Sequence, residues 1–170
     1  AALQPVADAL LAARRAGLVE VERLDRGLQR EARHDTTCRR LMTVPGVGPI
    51  TALAYQSTIE DPARFGASRD VGAYVGLVPR RHQSGEIDQD GGVSKCGDAM
   101  LCTMLYEAAQ SMLAHSPKWS WLKAWAIRAA QRRGMRRATV ALARRIAVIL
   151  HRIWIDGTDF RRSNSTARMA

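Results

Sequence analysis

The chain has 170 residues, with 26 Lys and Arg against 16 Asp and Glu, a formal net charge of +10 and a pI near 10.7. That length suits one domain, or one domain with a helical appendage, and 46% hydrophobic with 25% charged residues excludes wholesale disorder. No apolar run reaches the ~18 residues of a membrane-spanning helix, and the opening A-A-L-Q-P-V-A-D lacks a secretory pattern. Three Cys at irregular spacing exclude a disulfide scaffold and point to a reducing cytoplasm. The chain starts without Met inside an expected helix, which suggests a fragment of a longer protein.

Charge is unevenly placed. Residues 1–117 carry 13 basic and 14 acidic side chains, whereas residues 118–170 carry 13 basic and only Asp156 and Asp159 as acids. Such a field attracts polyanions, and nucleic acid is the expected partner, since Lys and Arg contacts to phosphates supply most non-specific affinity. A merely basic, solvated surface is the alternative.

Residues 6 to about 41 read as helix, because Val21, Leu24 and Leu28 recur at three- and four-residue spacing among Glu, Arg and Asp. Gly17 and Gly27 weaken it, and the pattern fits a coiled-coil arm or one helix of a hairpin. From 43 to 76 follow T-V-P-G-V-G-P-I-T-A-L-A, a turn around Asp61-Pro62, and a short helix capped by Ser68 and ending at Gly76. Residues 77 to 95 hold turn formers without helical period and predict an irregular hairpin or loop. Asp98 then caps a helix bearing Leu101, Met104, Leu105, Ala108 and Met112, which Ser116-Pro117 ends.

A Trp-rich stretch (Trp119, Trp121, Trp125) precedes a long helix from about Arg136 to Ile155. Leu142, Ile146, Ile149 and Ile153 share one face of it, and Arg137, Arg144, Arg145 and Arg152 share the opposite one as candidate nucleic-acid contacts. The predicted class is mostly α. It comprises a helical or coiled-coil arm over 1–41, a helical domain over 42–160 with a helix-hairpin-helix-like unit and an irregular serine-bearing loop or hairpin, and a mobile basic tail over 161–170.

Two motifs carry candidate chemistry. In V-P-G-V-G-P, Gly46 and Gly48 would let the backbone approach a phosphate, with the N–H groups and dipole of the following helix aimed at the anion and Pro49 at its first position. A plain Gly-Pro turn between packed helices is the alternative. In R-R-H-Q-S-G-E, Ser84 is a candidate nucleophile: Gly85 permits a tight turn, and Arg80, Arg81 and Lys95 are candidate phosphate contacts. His82 would share a side with Ser84 on an extended segment, although nothing nearby orients it as a base. On the residues alone Ser84 reads first as an ordinary turn serine, since Ser-Gly is a frequent turn pair, with the nucleophile as the alternative. Neither Cys96 with Cys102 nor His34 with Cys38 has the paired spacing of a zinc site. Glu60-Asp61 and Asp88 with Asp90 lack a third ligand, so no metal or other cofactor is expected in this chain.

Several blocks together carry a resemblance: L-M-T-V-P-G-V-G-P-I-T-A, then D-P-A-R-F at 61–65, Y-V-G-L-V-P-R-R-H-Q-S-G at 74–85, V-S-K-C-G-D at 93–98, and the ending A-L-A-R-R-I-A-V-I-L-H-R-I-W-I-D-G-T-D-F-R. From about residue 38 to 162 the chain resembles the C-terminal domain of bacterial insertion-sequence transposases of the IS-one-ten and IS-eleven-eleven type, the Transposase_20 or DEDD-plus-serine family. The resemblance implies a longer protein with an RNase-H-like, RuvC-type domain whose four acidic residues bind Mg²⁺, a coiled coil, and this serine domain. It also implies a structured guide RNA that directs target and donor choice, DNA as substrate, and a homo-oligomer, dimer or tetramer. Ser84 matches the serine that joins covalently to DNA; Gly85, Lys95 and Gly97 match supporting positions. Two departures follow: the four-carboxylate domain is missing, and Cys102 stands where the family often has Arg. The expected function is therefore the serine domain of an RNA-guided transposase or recombinase, with a non-catalytic helix-hairpin-helix nucleic-acid-binding module as the alternative.

Overall fold

The computed structural model describes residues 3–84, 87–94 and 96–163, and for the paired strands 79–84 and 87–93 the backbone only. Helix α1 spans Gln4–His34 and α2 spans Thr36–Leu41. The single helix expected over 6–41 is thus broken, and Asp35 is the reason. Its backbone is extended (φ −72, ψ 128) and its carboxylate accepts a hydrogen bond from the Cys38 N–H, so it starts a new helix as an N-cap. That bond also holds the Asp35 carboxyl below its ordinary pKa.

Helix α3 (Pro49–Ile59) begins on Gly48 with Pro49 in its first turn, as the motif predicts. It stops on a tight turn at Glu60, whose φ is +59 and whose flanking groups bond from Asp61 N–H to Ile59 C=O at 2.7 Å. Short 3-10 turns at Pro62–Arg64 and Ser68–Asp70 lead to α4 (Val71–Tyr74). Ser68 does not cap this helix. Its hydroxyl is instead bonded to a histidine 83 residues away, a partner that no local pattern encodes.

After Gly76 (φ +76) the strands β1 (Pro79–Ser84) and β2 (Ile87–Val93) pair antiparallel, followed by α5 (Ala99–Ala114), α6 (Trp121–Arg133) and α7 (Met135–Asp156). Asp98 caps α5 by accepting from the Leu101 N–H, as expected. The Trp-rich stretch is itself helical: Ser120 caps α6 by accepting from the Lys123 N–H at 3.2 Å, and the three Trp mask this start by their bulk rather than opposing it. The class is mostly α, with one two-stranded hairpin among the described residues.

Helix α7 is the central element, packing against α4, α5 and α6. It buries Leu142, Ala143, Ile146, Ala147, Leu150, His151 and Ile153, while Ile149 is only half-buried. From α3, the buried Tyr55 hydroxyl donates to the Ala147 carbonyl at 2.9 Å, and burial pushes its pKa upward. Two hydrogen bonds at 2.9 Å satisfy His151: its Nε2–H donates to the Pro62 carbonyl, which leaves Nδ1 to accept from the Ser68 hydroxyl. Phe65 meets the same ring edge-on. Beyond α7 the chain returns to the start of α6, where the carbonyl of Arg161 accepts from the Trp121 indole and that of Arg162 from the Trp121 backbone N–H. Residues 164–170 of the expected tail lie outside the described residues.

Gly46 takes φ +86, and a Cβ placed there would lie 2.2 Å from the Ala108 carbonyl oxygen of α5. Gly46→Ala should therefore destabilise the fold by about 2–4 kcal/mol, combining backbone strain with overpacking against a helix. Thermal unfolding should show a midpoint lowered by roughly 5–15 °C; an unchanged midpoint would contradict the packing described.

Candidate functional site

The hairpin register is Pro79 opposite Val93, Arg81 opposite Asp90, His82 opposite Gln89, Gln83 opposite Asp88 and Ser84 opposite Ile87, with an irregularity between Pro79 and Arg81. Ser84 therefore ends β1 and flanks a two-residue connection, Gly85-Glu86, which lies outside the described residues, as does Lys95. Arg80 and Arg81 lie on the same strand. His82 and Ser84 are two residues apart on an extended strand, the spacing the sequence reading assumed.

The base of the hairpin is tied to the helical body. Ser94 N–H donates to the Val78 carbonyl at 2.8 Å, and the Ser94 hydroxyl donates to the Gly76 carbonyl at 3.0 Å. Gly97 lies so close to the end of α4 that a Cβ there would meet the Tyr74 carbonyl oxygen and the Val75 carbonyl carbon, each at 2.3 Å. One turn earlier, a Cβ on Gly72 would come within 2.8 Å of the Arg144 side chain on α7. The close approach at Gly97 thus ties the root of the hairpin to the end of α4, and Gly72 leaves room for the Arg144 side chain where α4 packs on α7. Neither was legible locally, because each glycine answers to a segment distant in sequence.

The expected face of four presented guanidinium groups is corrected by the structure. Arg144 is half-buried against Gly72. Arg145, also half-buried, sits with its guanidinium carbon 4.4 Å from the Trp125 ring centre and 5.4 Å from that of Trp121. Burial there lowers its pKa from the ordinary guanidinium value. Long aliphatic stems let arginines at the margin of a buried stripe pack inward, which a helical wheel does not register. Arg152 is exposed but pairs with Asp156 at 2.9 Å. Arg137 alone of the four is exposed with no ion pair among the described residues.

The V-P-G-V-G-P turn joins α2 to α3. Gly46 is occupied by packing on α5, whereas Gly48 is extended (φ −95, ψ 176) with open space where a Cβ would stand. Among the described residues no three His, Cys, Asp or Glu side chains gather as a metal set. Cys96 is exposed and Cys102 half-buried. Among the described residues no helix is long and apolar enough to cross a membrane.

Fold and charge define a mostly helical, strongly basic module with a serine at the end of a hairpin strand. Residues 38–124 match the family described as Transposase IS116/IS110/IS902, and the chain belongs to that family. It is 41% identical over 128 residues to the transposase for insertion sequence element IS1111A of Coxiella burnetii, covering 72% of this chain and 34% of that protein. It is 34% identical over 142 residues to a probable family 20 transposase of Pseudomonas aeruginosa, and 32% identical over 142 residues to the transposase for insertion sequence element IS1328 of Yersinia enterocolitica. Each of these alignments covers 83% of this chain and 42% of the relative. The chain thus spans well under half the length of these relatives.

Cys38 is fully buried and its thiol donates to Gln56 Oε1 at 3.0 Å. Burial first, then the neighbouring Asp35 carboxylate, pushes its pKa from 9.0 up to about 12. The unfolded chain releases this proton at lower pH than the folded one, so folding stability should fall as pH rises from about 9 toward 12. Denaturant melts at stepped pH should show that slope reduced in Cys38→Ser. At pH 8.5 iodoacetamide should label Cys96 and spare Cys38; rapid native labelling of Cys38 would contradict the assignment.

Proposed function

We propose that this chain is the serine-bearing part of an insertion-sequence transposase and that Ser84 becomes joined to DNA. One observation carries the reading: Ser84 ends β1 beside a two-residue connection, inside the 38–124 stretch that matches the transposase family. In the step, Ser84 Oγ attacks a backbone phosphorus and the bond to the 3′ oxygen breaks. The serine proton passes, overall, to that leaving oxygen, giving a phosphoserine link and a free 3′ hydroxyl. Attack by another 3′ hydroxyl reverses the link and exchanges strands.

A serine hydroxyl is neutral near pH 7, so its proton acceptor has to be supplied in the assembled enzyme. A RuvC-like acidic domain outside this chain completes that enzyme and holds its Mg²⁺. A guide RNA selects target and donor, and exposed arginines of this chain contact DNA or RNA phosphates. Self-association runs through α1, where Leu10, Val21, Leu24 and Leu28, with Leu3 just ahead of the helix, stand exposed at spacings that form a coiled-coil seam, interrupted by Arg14 and Gly17. The α2–turn–α3 pair with its open Gly48 supports a second reading, a non-catalytic nucleic-acid-binding module in which Ser84 is inert.

Suicide DNA substrates incubated with the full-length transposase separate the two. Covalent adduct should form with the parent protein and disappear in Ser84→Ala, while DNA affinity stays unchanged. An adduct that survives Ser84→Ala would overturn the assignment.

A further inference from the structure

We infer that the corner between α6 and α7, built from Arg132, Arg133, Arg136 and Arg137 around Gly134, is a docking surface for the phosphodiester backbone of a nucleic acid. The inference rests on the transposase reading for the kind of polyanion, and it assigns a surface other than the serine hairpin.

A single residue makes this corner. Gly134 (φ 80, ψ 156) is at once the last cap of α6 and the first cap of α7, so two arginine pairs are forced onto one bend. Residues 131–137 are all exposed. None of the four arginines has a carboxylate within 4 Å among the described residues, and the sequence holds no acidic residue between Glu107 and Asp156. Arg132 makes one bond, at 3.5 Å to the Arg128 carbonyl.

Helix electrostatics sharpen the point. Arg132 and Arg133 lie in the last turn of α6, where the dipole favours cations. Arg136 and Arg137 lie in the first turn of α7, where the dipole and the outward N–H groups favour anions, and that turn has no acidic residue. Two cations there work against the helix that carries them, and no carboxylate among the described residues pairs with them. A local rule broken without internal compensation marks a functional surface. Phosphates laid across the bend would satisfy all four guanidinium groups and the first-turn N–H groups together. Met135 is the one large apolar side chain exposed on the bend, too little for insertion into a lipid interface.

The test compares the intact protein with a variant carrying Arg132→Gln, Arg133→Gln, Arg136→Gln and Arg137→Gln, titrated with a duplex DNA and with a structured RNA across a salt series. The slope of log affinity against log salt should flatten by about two to four units, with at least a tenfold loss at low salt. A loss for DNA alone or RNA alone identifies the source of the backbone, and a loss for both shows shared use. A control with Arg23, Arg26, Arg30 and Arg33 on α1 changed to Gln removes the same charge. Equal effects from both sets, or no change of slope from the corner set, would overturn the inference. Arg136→Gln with Arg137→Gln should raise the melting temperature while weakening binding, which loss of folding cannot mimic; a lowered melting temperature would count against the dipole argument. Ser84→Ala should leave the salt slope intact, so failure of the serine assignment and failure of the corner are read separately.

Discussion

A buried imidazole holds this structure together at its most consequential point. His151 sits on α7 with both ring nitrogens satisfied, one by the Pro62 carbonyl and one by the Ser68 hydroxyl, and with Phe65 against its edge. The stretch between α3 and α4 has few apolar anchors of its own, so these bonds and that ring contact fix its course. Its course in turn sets where α4 lies, where Gly76 turns, and where the serine hairpin emerges. Leaving either ring nitrogen unpaired in that interior would cost about 1–3 kcal/mol and loosen the root of the hairpin.

The arginines of the C-terminal third divide by what surrounds them rather than by number. Arg145 lies against two indoles and acts as a structural cation, Arg144 covers the glycine of α4, and Arg152 is paired with Asp156. Among the described residues, the densest group of exposed arginines without an ion pair is the four at the α6–α7 bend, with Arg128, Arg161 and Arg162 exposed singly or in a pair elsewhere. A net charge of +11 over residues 118–170 therefore overstates how much of that charge is available to a partner, and burial decides which part is.

Much of this was legible from local signals. Asp98 ahead of an apolar period marked α5, Pro49 marked the start of α3, and turn formers between 77 and 95 marked the hairpin. Block order and spacing placed the chain in its family. The failures share a physical cause. Asp35 carried a readable capping signal, but the apolar period on either side outweighed it. Ser68 looked like a cap because its true partner lies 83 residues away, and the close approaches at Gly72 and Gly97 answer to segments that no local pattern reveals. Helix α6 was hidden by tryptophans whose role is to pack Arg145 and Phe160. A helical wheel counts directions, and it could not register that Arg144 and Arg145 fold their stems inward.

The central claim is that one hydroxyl at the end of β1 becomes bonded to DNA. Peptide mapping by mass spectrometry, on the covalent complex of the full-length transposase after nuclease and protease digestion, tests it most directly. The account predicts a nucleotide remnant attached through its 5′ phosphate to the peptide containing Ser84. A remnant on any other residue would contradict it.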